Sequence, residues 1–173
     1  KRYKISEATI GIGSNTITFK YDNRIKEIAY KIWVELVTRK IGLRFDEDFD
    51  VIDDVYDSWY AAFRVIRNLL EEIPVNRIKD ANGLIELITK VLNDGLRPHL
   101  TKWQAKFRSW YEKEAQKDMQ LAPQELQSQF PEYATLVSDL KKTNDIMINF
   151  ANELKRFIDD GDSAEKSPCR RHT

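Results

Sequence analysis

A chain of 173 residues with 42% apolar content is long enough to bury one substantial core, so a single domain is expected. Its 28 basic side chains are matched by 28 acidic ones, which excludes attraction of a polyanion or an acidic substrate through net charge alone. The longest apolar stretches are a few residues, far short of the roughly 20 that a membrane span needs.

Strand signals open the chain. Ile17, Phe19 and Tyr21 alternate with Thr16, Thr18 and Lys20, the two-residue period of a half-buried strand. Gly11-Ile12-Gly13-Ser14-Asn15 supplies a turn, and Tyr3 and Ile5 stand on the run before it. Residues 1–22 are therefore expected to form a β-hairpin, and because a lone hairpin is marginal in water it should pack on the helices. Gly11 and Gly13 match the start of a dinucleotide-binding loop, but the third glycine and the strand-to-helix context are missing, so a simple turn accounts for them.

From Arg24 to Ile41, Ile25, Ile28, Ala29, Ile32 and Leu36 recur at three- and four-residue steps, with Trp33, Val37 and Ile41 widening the apolar face of a helix. Glu27, Lys31, Glu35 and Arg39 run up its solvated side, and Gly42 stands where a helix stop is expected. Asp50 is placed to cap a second helix that ends at Pro74, with Asp53 and Asp54 in its first turn. Ile52, Val55, Tyr56, Trp59, Tyr60, Phe63, Ile66 and Leu69 cover more than half its circumference, which predicts a central helix touching at least two neighbours.

A third helix is expected to start near Asn82 and to reach Leu92 before Asn93-Asp94-Gly95 interrupts it. Pro98 then opens or kinks a segment carrying Leu100, Trp103, Phe107, Trp110 and Tyr111, which runs to about Lys117. Two separate helices and one bent helix fit this pattern equally. Pro123 and Pro131 flank a polar connector with room for one helical turn, and a last helix carries Leu136, Val137, Leu140, Met147, Phe150, Leu154 and Phe157 on one side. Asn144 interrupts that stripe, where a polar residue can fix the register of a helix pair. The expected organisation is mainly α: an N-terminal hairpin, an antiparallel bundle of four to five helices over 23–159, and a disordered polar tail over 160–173.

Candidate chemistry is sparse. Asp46, Asp48 and Asp50 alternate like the opening of a calcium-binding loop with Asp57 at the twelfth position, but the sixth position is Val51 where a glycine is needed and the twelfth lacks the bidentate Glu. Acidic residues at a helix start explain the run without a metal. His99 is the one histidine outside the tail, and with Cys169 it cannot supply the three or four ligands of a zinc site. The arginine that a helical ribonuclease places four to six residues before its histidine is absent, and no local motif supports a nucleophile beside His99, so packing at a helix start is the expected role.

Two groups remain. Arg97, Lys102, Lys106, Arg108 and Lys113 interleave with aromatic residues, as phosphate contact and base stacking require, although Glu112 and Glu114 dilute them and a solvated face serves as well. Tyr56, Trp59, Tyr60 and Phe63 either fill the core or line an aromatic pocket.

The runs Ile28-Ala29-Tyr30-Lys31-Ile32-Trp33-Val34-Glu35-Leu36, Val55-Tyr56-Asp57-Ser58-Trp59-Tyr60 and Leu96-Arg97-Pro98-His99-Leu100-Thr101-Lys102-Trp103-Gln104 give the chain its texture. Over about residues 1–155 it resembles a family of uncharacterised bacterial helical proteins. That resemblance implies a bacterial origin and assigns no catalytic residue; Asp57 and the run after Asp159 depart from it.

With no catalytic, cofactor or metal set in view, the expected function is a non-enzymatic interaction or scaffold module that offers its helices to a protein partner or to a second copy. The alternative is a nucleic-acid-associated factor using the basic and aromatic helix from Arg97 to Lys113. The single Cys169 and the lack of a secretory leader pattern suit a cytoplasmic location.

Overall fold

The computed structural model describes residues 7–12, 15–20, 23–117 and 120–165, with side chains in 23–117 and 120–159. Two strands, β1 (Glu7–Ile12) and β2 (Asn15–Lys20), pair antiparallel with Ala8 opposite Phe19. Tyr3, Ile5, Tyr21 and residues 13–14 of the expected turn lie outside the described residues.

The rest is helical. Helix α1 (Asn23–Val37) buries Ile25, Ile28, Ala29, Ile32 and Leu36, as its apolar spacing dictates. It stops four positions before Ile41 because the chain folds back over its last turn: a Cβ on Gly42 would lie 2.3 Å from the Leu36 carbonyl oxygen, a gap that only glycine fits. Helix α2 (Ile52–Glu71) buries Tyr56, Trp59, Ala62 and Ile66 completely.

Asp50 does not cap α2. The cap position is Val51, without a side-chain bond, and the Asp50 carboxylate turns back to accept from the Asp46 N–H at 2.8 Å and to pair with Lys40 at 2.6 Å. The fully buried Gln127 takes over from a distant element, accepting from the Ile52 N–H and donating to the Asp50 carbonyl, both at 2.9 Å. One orphan donor of the helix start is thereby satisfied by a residue that no local pattern marks.

Helix α3 (Ile78–Lys90) starts four residues earlier than Asn82 and passes without a break into a π-helical stretch, Val91–Leu96, and then into α4 (Arg97–Lys117). Val91 and Arg97 both keep right-handed helical dihedrals, so Asn93-Asp94-Gly95 widens the helix and does not interrupt it. Pro98 supplies the reason. It lacks an N–H, and in a regular α-helix its ring presses on the carbonyl four residues back; a wider turn relieves both.

A short α5 (Pro123–Ser128) precedes the long α6 (Tyr133–Glu165), whose backbone continues past Asp159 through residues 160–165. Residues 166–173, with Cys169, lie outside the described residues.

Pairwise contacts fix the arrangement. Lys31 meets Glu72 while Lys40 meets Ser58, so α1 and α2 are antiparallel. Arg97 lies over Phe63 while Arg108 reaches Asp53, which makes α2 and α4 antiparallel too. Trp103 bonds Asp139 and Lys106 pairs with Glu132 across α4 and α6, and Lys155 over Trp33 with Asn144 at Lys40 closes the circuit between α6 and α1. Four helices thus form a ring, α1–α2–α4–α6, with each neighbour reversed. Asn144 does more than interrupt a stripe: its carbonyl accepts from the Phe45 N–H at 2.9 Å and its amide donates to the Ile41 carbonyl at 3.1 Å, so it serves the backbone of the α1–α2 loop.

Candidate functional site

His99 and Trp103 stand four apart on α4 and therefore share one face of it. That face meets α2 and α6. The His99 side chain is almost wholly buried, with Nδ1 at 3.0 Å from Asp139 Oδ2 and Nε2 at 3.1 Å from the Tyr56 hydroxyl. Trp103 Nε1 donates to the same carboxylate oxygen at 2.8 Å. A carboxylate can only accept, so Nδ1 carries the imidazole proton, Nε2 is an acceptor, and Tyr56 donates to it.

Electrostatics agree with a neutral ring. Burial pushes His99 below the ordinary imidazole value, outweighing the hydrogen bond and charge of Asp139 that pull it upward. Desolvation works to raise the Asp139 carboxyl, but hydrogen bonds from His99 and Trp103 prevail and hold it below the usual carboxylate range. Burial, reinforced by the Asp139 charge, pushes the Tyr56 phenol well above its ordinary value. The Trp59 ring lies 5.7 Å from that of His99, and its indole N–H is buried with no hydrogen-bond partner among the described residues.

Between the same two helices, α2 and α4, lies an open groove of about 190 Å³, lined by Tyr60 and Phe63 of α2 and by Arg97, Leu100, Thr101 and Gln104 of α4. Tyr60 is 53% exposed, whereas Phe63 and Leu100 are half-buried at the edge of the core. The Arg97 guanidinium stands 5.2 Å from the Phe63 ring centre, and its Nε donates to Asn93 Oδ1 at 3.1 Å.

The four aromatic residues singled out in the sequence are therefore divided. Tyr56 and Trp59 are core, and Tyr60 and Phe63 line the groove. The five basic residues are divided as well. Arg108 is held by both Asp53 and Asp57, and Lys106 by Glu132. Lys102 lies 4.7 Å from the Trp103 ring centre, Lys113 is exposed, and Arg97 alone of the five belongs to the groove. Asp139 and Gln104 were not singled out in the sequence, since each matters only through its neighbour on another helix.

The acidic run does not converge. Asp46 Oδ1 accepts from the Asp48 N–H at 3.0 Å, Asp50 turns to Lys40, and Asp57 pairs with Arg108. Among the described residues no three His, Cys, Asp or Glu side chains gather as metal ligands, and no helix is long and apolar enough to cross a membrane. Compared with known protein families, curated proteins and solved structures, the chain finds no match.

Proposed function

We propose that this chain is a non-enzymatic interaction module whose α2–α4 groove receives an apolar side chain of a partner protein. The observation that carries the reading is Tyr60, a large aromatic side chain 53% exposed beside the half-buried Phe63 and Leu100. Aromatic residues with a polar tip are the residue types enriched at protein contacts. A groove of about 190 Å³ is smaller than the roughly 300–1,000 Å³ of small-molecule sites and suits a side chain delivered by another protein.

An enzymatic reading has less support. The Tyr56 hydroxyl that His99 accepts from is fully buried and held in its neutral form, so this hydroxyl does not meet a substrate. Nucleic-acid contact along α4 is the second reading, favoured by Lys102 and Lys113, neither of which has a carboxylate partner among the described residues. It loses Lys106 and Arg108 to ion pairs.

Photo-crosslinking from position Gln104 identifies the partner, and the complex rebuilt from purified components supplies the measurement. Tyr60→Ala should weaken that complex at least tenfold, about 1.4 kcal/mol, with an unchanged melting temperature. An undiminished affinity would sink the groove as the contact.

A further inference from the structure

We propose that the partner segment seated in the α2–α4 groove carries a carboxylate beside its apolar anchor, and that Arg97 is the residue that reads it. The inference rests on the groove being a protein contact.

Arg97, like Arg44 and Arg64, differs from the arginines that pair within the bundle. Arg39 pairs with Glu35, Arg67 with Glu71, Arg156 with Glu153, and Arg108 with two aspartates. Arg97 has no carboxylate within ion-pair distance among the described residues, yet it is not loose. Its Nε is anchored on Asn93, one turn back in the π-helical stretch, and its guanidinium carbon lies 5.2 Å from the Phe63 ring centre. Two contacts therefore orient the guanidinium, while among the described residues neither terminal nitrogen has a hydrogen-bond partner. A planar fork held in this way is prepared for the two parallel hydrogen bonds that a carboxylate accepts. Preorganisation of this kind lowers the ordering cost of binding.

The surroundings favour a single negative charge. Among the described residues no carboxylate lines the groove; its other polar groups are the Tyr60 and Thr101 hydroxyls and the Gln104 amide. Arg64, four residues after Tyr60 and so on the same side of α2, is exposed and also has no carboxylate partner among the described residues, which adds a second cation near the groove. Toward the other end the sign changes at Asp57 and Asp53. A nucleic-acid backbone repeats its charge along its whole length and would meet those aspartates, whereas one Asp or Glu near a Leu, Phe or Trp meets only the Arg97 end.

The test uses the full chain as bait for a displayed library of short random peptides, with a parallel selection on Arg97→Glu. Wild-type protein should enrich Asp or Glu within one turn of a large apolar residue, and Arg97→Glu should enrich Lys or Arg at that position instead. The tightest wild-type peptide should bind Arg97→Gln about tenfold or more weakly, as loss of a charged hydrogen-bonded contact implies, with the melting temperature unchanged. Peptides that need Tyr60 but show no acidic preference and ignore Arg97→Gln would overturn the carboxylate and leave the groove as a protein contact. Peptides indifferent to both Tyr60→Ala and Arg97→Gln would overturn the groove as well. Single-stranded RNA that binds more tightly than any selected peptide and depends on Arg97 would assign the groove to nucleic acid and overturn the proposal. A dimer in sedimentation that Tyr60→Ala dissolves would do the same in favour of a second copy.

Discussion

Trp59 and Tyr60 are consecutive residues of one helix, yet one is sealed in the core against Tyr56 and His99 while the other stands half in solvent over a groove. A helix turns by about 100° per residue, so the four aromatics of α2 fall within one arc of about 100° with Trp59 and Tyr60 at its two edges, and burial rather than spacing divides them: Tyr56 and Trp59 are sealed inside, and Tyr60 and Phe63 line the groove. The inner pair is packed against other rings, and Tyr56 is also hydrogen-bonded to His99. The outer pair keeps unused contact area. Aromatic richness in a stretch of sequence thus says little about binding until each ring is assigned a side.

The sharpest way to break this comparison is to truncate one member of each pair. Trp59→Ala should cost about 3 to 5 kcal/mol in a urea titration, the range for large aromatic residues lost from a core. Tyr60→Ala should stay within about 0.5 kcal/mol of wild type, as surface changes do. Equal costs would erase the distinction between the two sides.

The inner side can also be probed through its polar centre. His99→Leu leaves the buried Tyr56 hydroxyl without its acceptor and should destabilise by about 1 to 3 kcal/mol. Burial keeps the folded-state pKa of His99 below its unfolded value of 6.5, so between the two values the unfolded chain binds more protons. The contribution of neutral His99 is therefore complete above about pH 6.5 and is lost as the pH falls from there through the folded-state value. Asp139, held below 3.8, adds its own loss only at lower pH. Urea titrations across this range should show wild type losing more stability than His99→Gln between pH 6.5 and 5; a loss confined to the variant would mean that Asp139 controls the ring.

Asn144→Leu keeps the branched shape of the side chain but strands the Phe45 N–H and the Ile41 carbonyl, and should cost about 1 to 3 kcal/mol by chemical denaturation. A stabilised variant would show that loop capping is dispensable. A small effect is also expected at Arg108: Arg108→Gln removes the contacts with Asp53 and Asp57, and a half-exposed pair of this kind contributes no more than about 1 kcal/mol. A drop of several degrees in melting temperature would move Arg108 into the category of His99.

Periodicity alone made α1, α2 and α6 legible, because each carries a long apolar stripe, broken in α6 only at Thr143 and Asn144. What it missed depends on remote partners. Asp50 has the right type and position for a cap, but Gln127 on α5 outcompetes it, and nothing near Ile52 announces that. The early end of α1 follows from the fold-back at Gly42, a tertiary contact. In the candidate site, the four-residue step from His99 to Trp103 was a readable sign that both face one neighbour. Asp139 was not readable, since its role depends on how far α6 has slid along α4. The groove was legible only in halves: Tyr60 and Phe63 stood in one aromatic group and Arg97 in a basic one, and only the antiparallel alignment of α2 with α4 brings them together.

Compared with an uninterrupted α-helix, the π-helical stretch between Lys90 and Arg97 behaves as an insertion, which advances the angular phase of every residue after it. Shortening Val91–Leu96 by one residue, with the helix otherwise intact, would wind α4 by about 100° and draw it along its axis by about 1.5 Å. His99 and Trp103 would then leave Tyr56 and Asp139, and in the same motion Arg97, Leu100 and Gln104 would leave Tyr60 and Phe63. One segment therefore indexes both the sealed network and the open groove, and neither can be re-registered without the other.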